Sequence, residues 1–294
     1  MGWTPVPRPI ESFAPAKINL FLHVGDKRDD GYHALESIAA FVDVGDKLAF
    51  APADSLTLRI DGPFGEGLAG ESDNLVLRAA RVLAEHAGIE AHAAITLTKN
   101  LPLASGIGGG SADAAAALRG LVQLWDLTQV GPIIAREIAE TLGSDVPVCV
   151  ESRPSWMEGR GEIVTFVRAV PPIKVVLVNP GIAVPTAAVF GALKARSGVD
   201  TASRILFDRD AWSMADYLQS TRNDLEEPAL GLAPVIGEVL AALRAQPGVY
   251  LARMSGSGAT CFAFFENDAA AEAAADTIAK AHPNWWVKAA RILA

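Results

Sequence analysis

The first regular pattern along the chain is an alternation. In the run Lys17 to Val24, Ile18, Leu20, Leu22 and Val24 fall on one face, and Lys17, Asn19, Phe21 and His23 fall on the other. A period of two is the mark of a strand. A charged, glycine-containing loop, Gly25 to Gly31, follows. Ile38 to Val44, Lys47 to Ala51 and Ser55 to Asp61 read as further strands, punctuated by Gly45-Asp46 and Gly62-Pro63. The period then becomes helical. Ser72 or Asp73 is placed to cap a helix running to about His86, with Gly88 as its stop. Ala94 to Thr98 is a short strand, Ser111 begins a helix through Trp125, and Pro132 suits the first turn of a helix that stops at Gly143. Val164 to Val167 and Lys174 to Val178 read as strands on either side of Pro171-Pro172. Beyond them, helices (Thr186 to Ala195, Ala211 to Ser220, Ala233 to Ala245, Ala269 to Ala281) alternate with strands (Tyr250 to Met254, Thr260 to Phe265, Trp285 to Ala290).

Both halves mix helix and strand, so the class expected is α+β. A length of 294 residues suggests two domains, divided at the Pro-Pro into 1–171 and 172–294. Half the residues are apolar and a fifth are charged, an ordinary globular composition. The net charge of -9 argues against a nucleic-acid partner. A phosphate would have to be held by a local device, such as backbone N–H groups or a few well-placed cations. The two cysteines, Cys149 and Cys261, sit in apolar runs and are too few for a disulfide framework or a structural zinc site. Residues 1–12, with three prolines and Glu11, lack the basic start and apolar run of a signal peptide, and no stretch of 18 apolar residues occurs. The expectation is a cytoplasmic protein with no membrane partner. His23, His86, His92 and His282 show no metal-ligand spacing, and Asp224, Glu226 and Glu227 read as a solvated charged face.

The run Leu101-Pro102-Leu103-Ala104-Ser105-Gly106-Ile107-Gly108-Gly109-Gly110-Ser111-Ala112-Asp113-Ala114-Ala115 carries the most chemistry. A strand enters it and an alanine-rich helix leaves it. Glycines let the backbone approach a ligand closely, and a helix N-terminus offers unpaired N–H groups with a partial positive charge. Together they suit a polyphosphate. Ser111 is placed to cap the helix or to offer its hydroxyl to a phosphate or to Mg²⁺. The run is not a Walker loop, which needs Gly-Lys-Ser/Thr, and it lacks the spacing of a dinucleotide fingerprint.

Three segments together resemble the GHMP kinases, the superfamily of galactokinase, homoserine kinase and mevalonate kinase. They are Ala14-Pro15-Ala16-Lys17-Ile18-Asn19-Leu20, the glycine-rich run with its helix, and Met254-Ser255-Gly256-Ser257-Gly258-Ala259-Thr260-Cys261. Their order and separations match, and the resemblance covers nearly the whole chain. Within the superfamily, Pro15 to Val24 followed by Arg28-Asp29-Asp30-Gly31-Tyr32-His33 is similar to members that phosphorylate a cytidine-diphosphate-linked polyol. Asn74-Leu75-Val76, Gly143-Ser144-Asp145-Val146-Pro147, Glu158-Gly159-Arg160-Gly161-Glu162 and Pro180 to Thr186 share that pattern. Ala112 departs from it, standing where a second serine is usual.

The resemblance implies a two-domain GHMP kinase fold, with a ribosomal-protein-S5-like N-terminal domain and a ferredoxin-like C-terminal domain. It implies ATP, accompanied by Mg²⁺, and a small-molecule acceptor. Pro102 to Ala112 would hold ATP, Asp145 would take the acceptor's proton, and Lys17 would stand beside it. Tyr32 and His33 would recognise cytidine, and Phe190 would close on the base; Asn19 and Thr186 would help to position the substrate. No protein residue is expected as a metal ligand, the ion being held by phosphates and water. Gly256 and Gly258 would shape a second turn against the phosphates. The oligomeric expectation is a monomer or weak homodimer. The alternatives are another GHMP kinase with a homoserine or mevalonate acceptor, and a GHMP-fold ligand sensor without catalysis.

Overall fold

Two long strands, β1 (Ile10–Lys27) and β2 (His33–Ala51), pair antiparallel along most of their length. They belong to a computed structural model that describes residues 10–29, 31–68, 73–129, 131–167, 170–193 and 211–293. Gly45-Asp46, expected to break the second strand, lies inside it. A Cβ at Gly45 would come 2.2 Å from the Ala14 carbonyl oxygen, so the glycine serves the close approach of β1, not a turn. The remaining N-terminal elements are β3 (Leu56–Asp61), α1 (Leu75–Ala87), β4 (Ala93–Thr98), α2 (Gly109–Leu124), α3 (Gly131–Leu142), α4 (Val146–Glu151), β5 (Ser155–Gly159) and β6 (Ile163–Phe166). The sheet runs β3-β4-β2-β5-β6, with β1 on β2.

Two caps differ from expectation. Asn74 caps α1, its side chain accepting from the Val76 amide at 2.9 Å; Asp73 does not fill that place, and Ser72 lies outside the described residues. Asn and Asp cap equally well, so the sequence alone did not discriminate. Gly88 ends α1 in the left-handed conformation, as expected. At α2 the cap is Gly108, also left-handed, and Ser111 sits inside the first turn.

The C-terminal elements are β7 (Lys174–Asn179), α5 (Thr186–Gly191), α6 (Ala211–Gln219), α7 (Glu226–Leu232), α8 (Val235–Arg244), β8 (Val249–Met254), β9 (Cys261–Phe265), α9 (Asp268–Ala281) and β10 (Trp286–Arg291). The sheet order β10-β7-β9-β8 is the ferredoxin-like arrangement of four strands. The helix expected from Thr186 to Ala195 ends at Gly191, with Ala192 as its C-cap; residues 194 and 195 lie outside the described ones.

Both faces of β1 are buried, so its alternation does not mark a solvent face. A core cluster containing Ile18, Leu20 and Phe21 of β1 joins it to Leu177 of β7 and to Phe262 and Phe264 of β9. Burying side chains of this size stabilises by about 1.5–3 kcal/mol each. The edge of β1 is tied down as well. The Leu22 amide donates to the Arg222 carbonyl, the Val24 amide donates to Asp224 Oδ2 at 2.8 Å, and the Arg253 guanidinium donates to the Leu20 carbonyl at 2.7 Å. Asp224 is therefore a buried acceptor and not part of a solvated face. Glu226 also turns inward, accepting from the Met254 amide at 3.1 Å. Cys149 and Cys261 are buried free thiols, and burial pushes the Cys149 thiol up to about 12, which makes it inert.

Candidate active site

The site begins on β1. Lys17 is 3% exposed, and its Nζ donates to Asn19 Oδ1 at 3.0 Å and to Asp145 Oδ2 at 2.9 Å. Asn19 Nδ2 donates to Ser37 Oγ at 2.8 Å, and Ser37 donates to the Phe21 carbonyl. The lysine is thus oriented through a chain of polar contacts anchored on the β1–β2 pair. The apolar run after Asp145 reads as a strand, but it forms the short helix α4, and Asp145 stands at its N-cap with no side-chain cap bond. Its carboxylate is one-third exposed and faces Lys17. Pro147 fits here because the first turn of a helix needs no N–H from it.

The glycine-rich run closes over this pair. The Lys17 amide donates to the Ile107 carbonyl at 3.0 Å, and a Cβ at Gly108 would lie 3.2 Å from Lys17 Cε and 3.9 Å from Asp145 Oδ2. No side chain caps α2, and its first residues line a cleft of about 570 Å³. Pro102 to Gly106 and Gly108 to Ser111 line that cleft, together with Lys17, Asn19, Asp145, Thr186 and Phe190. Ile107 and Ala112 do not. Both are buried in the core.

A second glycine turn meets the first. Ser255 Oγ accepts from the Asn19 amide at 3.1 Å and donates to the Gly106 carbonyl at 2.9 Å. Thr186 Oγ1 and Ser257 Oγ are 2.9 Å apart. A Cβ at Gly106 would sit 2.5 Å from the Ser255 carbonyl oxygen and 2.7 Å from Gly258 backbone atoms, and its φ is +76°. Gly106→Ala is therefore expected to push the two turns apart. A weakened affinity for an ATP analogue, measured by calorimetry, checks this, and wild-type affinity would refute it.

The residues expected to recognise the base are arranged differently from the expected sandwich. The His33 and Phe190 rings stack on each other, with centroids 5.6 Å apart and planes 27° apart. His33 Nδ1 lies 3.1 Å from the Gly25 carbonyl oxygen. Tyr32 is 55% exposed, and the Arg160 guanidinium lies over its ring.

Sequence reasoning assigned no role to several residues at the site. Ser37 had no signal beyond being polar, and Ser255 and Ser257 lay in the recognised segment Met254 to Cys261 without a role of their own. Lys99, Asp46 and Asp113 form a buried triad below α2. Lys99 Nζ donates to Asp46 Oδ2 at 2.5 Å and to Asp113 Oδ2 at 2.6 Å. Burial lowers the Lys99 pKa, but the two carboxylates outweigh it and the net shift is upward. Burial pushes Asp113 up to about 8 against the pull of Lys99, and Asp46 adds to the rise. A signal existed: Asp113 is the one acidic residue of the alanine-rich helix α2 and sits in its alanine run, where a charge is costly unless it is paired.

Comparison with known proteins follows the same lines. The family described as GHMP kinases N terminal domain matches residues 74–153, and GHMP kinases C terminal matches residues 208–284. The chain is 49% identical over 282 residues to a 4-diphosphocytidyl-2-C-methyl-D-erythritol kinase of Paramagnetospirillum magneticum, covering 95% of this chain and 97% of the relative. It is 51% identical over 276 residues to the protein of the same name from Paracoccus denitrificans, covering 94% of each. A crystal structure of a 4-(cytidine 5'-diphospho)-2C-methyl-D-erythritol kinase superposes with a TM-score of 0.76 at 33% identity, over 97% of this chain and 100% of the other. The homoserine kinase of Cytophaga hutchinsonii, at 20% identity and a TM-score of 0.72 over 100% and 97% of the two chains, shares the fold. With half its residues shared across nearly its whole length, the chain belongs to the 4-diphosphocytidyl-2-C-methyl-D-erythritol kinase family of the GHMP kinases.

Proposed function

We propose that this chain transfers the γ-phosphoryl group of ATP to the 2-hydroxyl of 4-diphosphocytidyl-2-C-methyl-D-erythritol, a step of the non-mevalonate isoprenoid pathway. The observation that carries this reading is the contact of Lys17 with Asp145 at the mouth of the amide-lined loop. Phosphoryl transfer depends on positioning and charge stabilisation more than on covalent help. The amides at the start of α2 hold the polyphosphate. Asp145 accepts the proton of the attacking hydroxyl, and Lys17 meets the charge that develops on the transferred group. Asn19 holds Lys17, and Thr186 joins it at the acceptor side. Tyr32, His33 and Phe190 take the cytosine ring through stacking and polar contacts on its edge.

Mg²⁺ accompanies ATP in this reading. Among the described residues no group of three or more His, Cys, Asp or Glu could hold a metal. The donors on hand are the nucleotide's own phosphate oxygens, water and the Ser111 hydroxyl, which suits a hard cation shared with the substrate. Bound there, the ion offsets phosphate charge. We place the division of labour at residue 171: the N-terminal part supplies the loop and the Lys–Asp pair, and the C-terminal part supplies the second glycine turn, Thr186 and Phe190. Among the described residues no helix is long and apolar enough to cross a membrane, and we assign the protein to the cytoplasm.

A coupled assay of ADP release with the cytidyl substrate, homoserine and mevalonate tests the acceptor. Turnover is expected with the cytidyl substrate alone; turnover on homoserine or mevalonate instead would move the chain to another acceptor class.

A further inference from the structure

The cations around the cleft are engaged to different degrees. Lys17 is bound by Asp145 and Asn19, and Lys99 by Asp46 and Asp113. Arg160 lines the same cleft, and its side chain is 36% exposed. The carboxylate that approaches it, Glu162, stands 3.9 Å from its Nε, beyond hydrogen-bond distance. The guanidinium carbon lies 5.4 Å from the centroid of the Tyr32 ring.

The placement of Arg160 is fixed from both sides. It sits in the turn between β5 and β6. On one side Gly159 pairs with Leu35, which brings the turn beside Tyr32 and His33. On the other side a Cβ at Gly161 would come within 3.5 Å of the Ser144 carbonyl oxygen, so the turn rests on the residue preceding Asp145. The turn itself is held by Glu162, whose Oε2 accepts from the Arg160 amide at 2.6 Å. Left-handed φ values at Gly159 and Gly161, +72° and +112°, allow it to fold back this tightly. Arg160 therefore stands between the aromatic end of the site and its reactive end.

A cytidyl-linked polyol has the same order: base, ribose, two phosphates, polyol. With its base at the aromatic end and its polyol at Asp145, such a substrate would carry its phosphates past Arg160, and in a chain of net charge -9 they need a local cation. A guanidinium offers a planar fork of donors that matches phosphate oxygens in pairs. We propose that Arg160 binds the diphosphate of the substrate and so sets the position of the polyol hydroxyl relative to Asp145. The proposal rests on the cytidyl reading given above.

The test compares Arg160→Gln and Arg160→Lys with the wild type. Calorimetry measures cytidine and CDP binding, and steady-state kinetics vary the cytidyl substrate and ATP separately. The wild type is expected to prefer CDP to cytidine. In Arg160→Gln, CDP affinity falls roughly 10- to 100-fold, the scale of losing charge-assisted hydrogen bonds, while cytidine affinity holds. The KM for the cytidyl substrate rises correspondingly, with KM for ATP near the wild-type value, and Arg160→Lys recovers part of the loss. Equal losses for cytidine and CDP would overturn the proposal, because Arg160 would then serve only to support Tyr32. An unchanged CDP preference in Arg160→Gln would overturn it too. A wild type that fails to phosphorylate the cytidyl substrate, yet shows a CDP preference that Arg160→Gln abolishes, would remove the acceptor assignment and leave Arg160 as a diphosphate ligand.

Discussion

Asp145→Asn is expected to lower kcat by about 10²- to 10⁴-fold, the range that a positioned general base supplies, while affinity for ATP stays close to that of the wild type. The amide is isosteric with the carboxylate, and its oxygen can still accept from Lys17 Nζ, which lies 2.9 Å from Asp145 Oδ2. Geometry is thus preserved and proton-accepting capacity is lost. Nucleotide binding is insulated from the change because the cradle is backbone: Gly108 caps α2 without a side chain. The competing account makes Lys17–Asp145 a structural ion pair. In that case Asp145→Asn would cost stability and leave turnover intact. Lys17 is buried and Asp145 is one-third exposed, so a structural pair would reveal itself as lost stability when Asp145 is neutralised. Measuring kcat together with the melting temperature separates the accounts: a stable variant with wild-type turnover excludes Asp145 as the base.

How much of this was legible beforehand depends on the scale of the interaction. Strand β1 and helix α2 follow from local rules of period and glycine content: α2 spans Gly109–Leu124, close to its expected ends, and β1 extends the expected Lys17–Val24 to Ile10–Lys27. The failures are tertiary. Gly45-Asp46 reads as a turn, but the glycine admits the Ala14 carbonyl and the aspartate is fully buried. Both reasons lie in partners distant in sequence. Val146 to Glu151 is apolar and β-branched, and it reads as strand; packing of α4 against α2 makes it helix instead. Six residues carry too little periodicity to decide the matter alone. Asp224 reads as one more surface charge, because its partner, the Val24 amide, is 200 positions away. At the site, the segments bearing Lys17 and Asp145 were recognisable, whereas the serine contacts that link the two glycine turns were not. Arg160 stood inside a recognised segment, but nothing local said which way its turn would fold.

Lys99→Met is expected to destabilise the fold by about 3–5 kcal/mol, the cost of leaving buried charge without its partner, which corresponds to a fall in melting temperature on the order of 10 °C. The side chains of Lys99, Asp46 and Asp113 are at most 4% exposed. They come from three elements: Asp46 from β2, Lys99 from just beyond β4, and Asp113 from α2. Asp46 also accepts from the amides of Asn100 and Leu101, so its oxygens are satisfied. Asp113 Oδ1, by contrast, is buried with no hydrogen-bond partner. Two carboxylates around one ammonium leave a surplus negative charge, and burial favours relieving it with a proton on Asp113, which is pushed up from 3.8 to about 8. The sign of the resulting pH dependence follows. A carboxyl whose folded pKa lies above its unfolded value binds more protons in the folded state, so its stabilising contribution is complete below about pH 4 and is lost as pH rises through about 8. Asp113→Asn supplies a permanently neutral group of the same shape and should flatten that loss. Melting curves of the wild type, Asp113→Asn and Lys99→Met between pH 5 and 9 read all three effects. If wild type and Asp113→Asn lose stability in parallel as the pH rises, Asp113 is ionised throughout and the triad carries its surplus charge unrelieved. If Lys99→Met melts with the wild type, the ammonium was not holding the two carboxylates together beneath the phosphate loop.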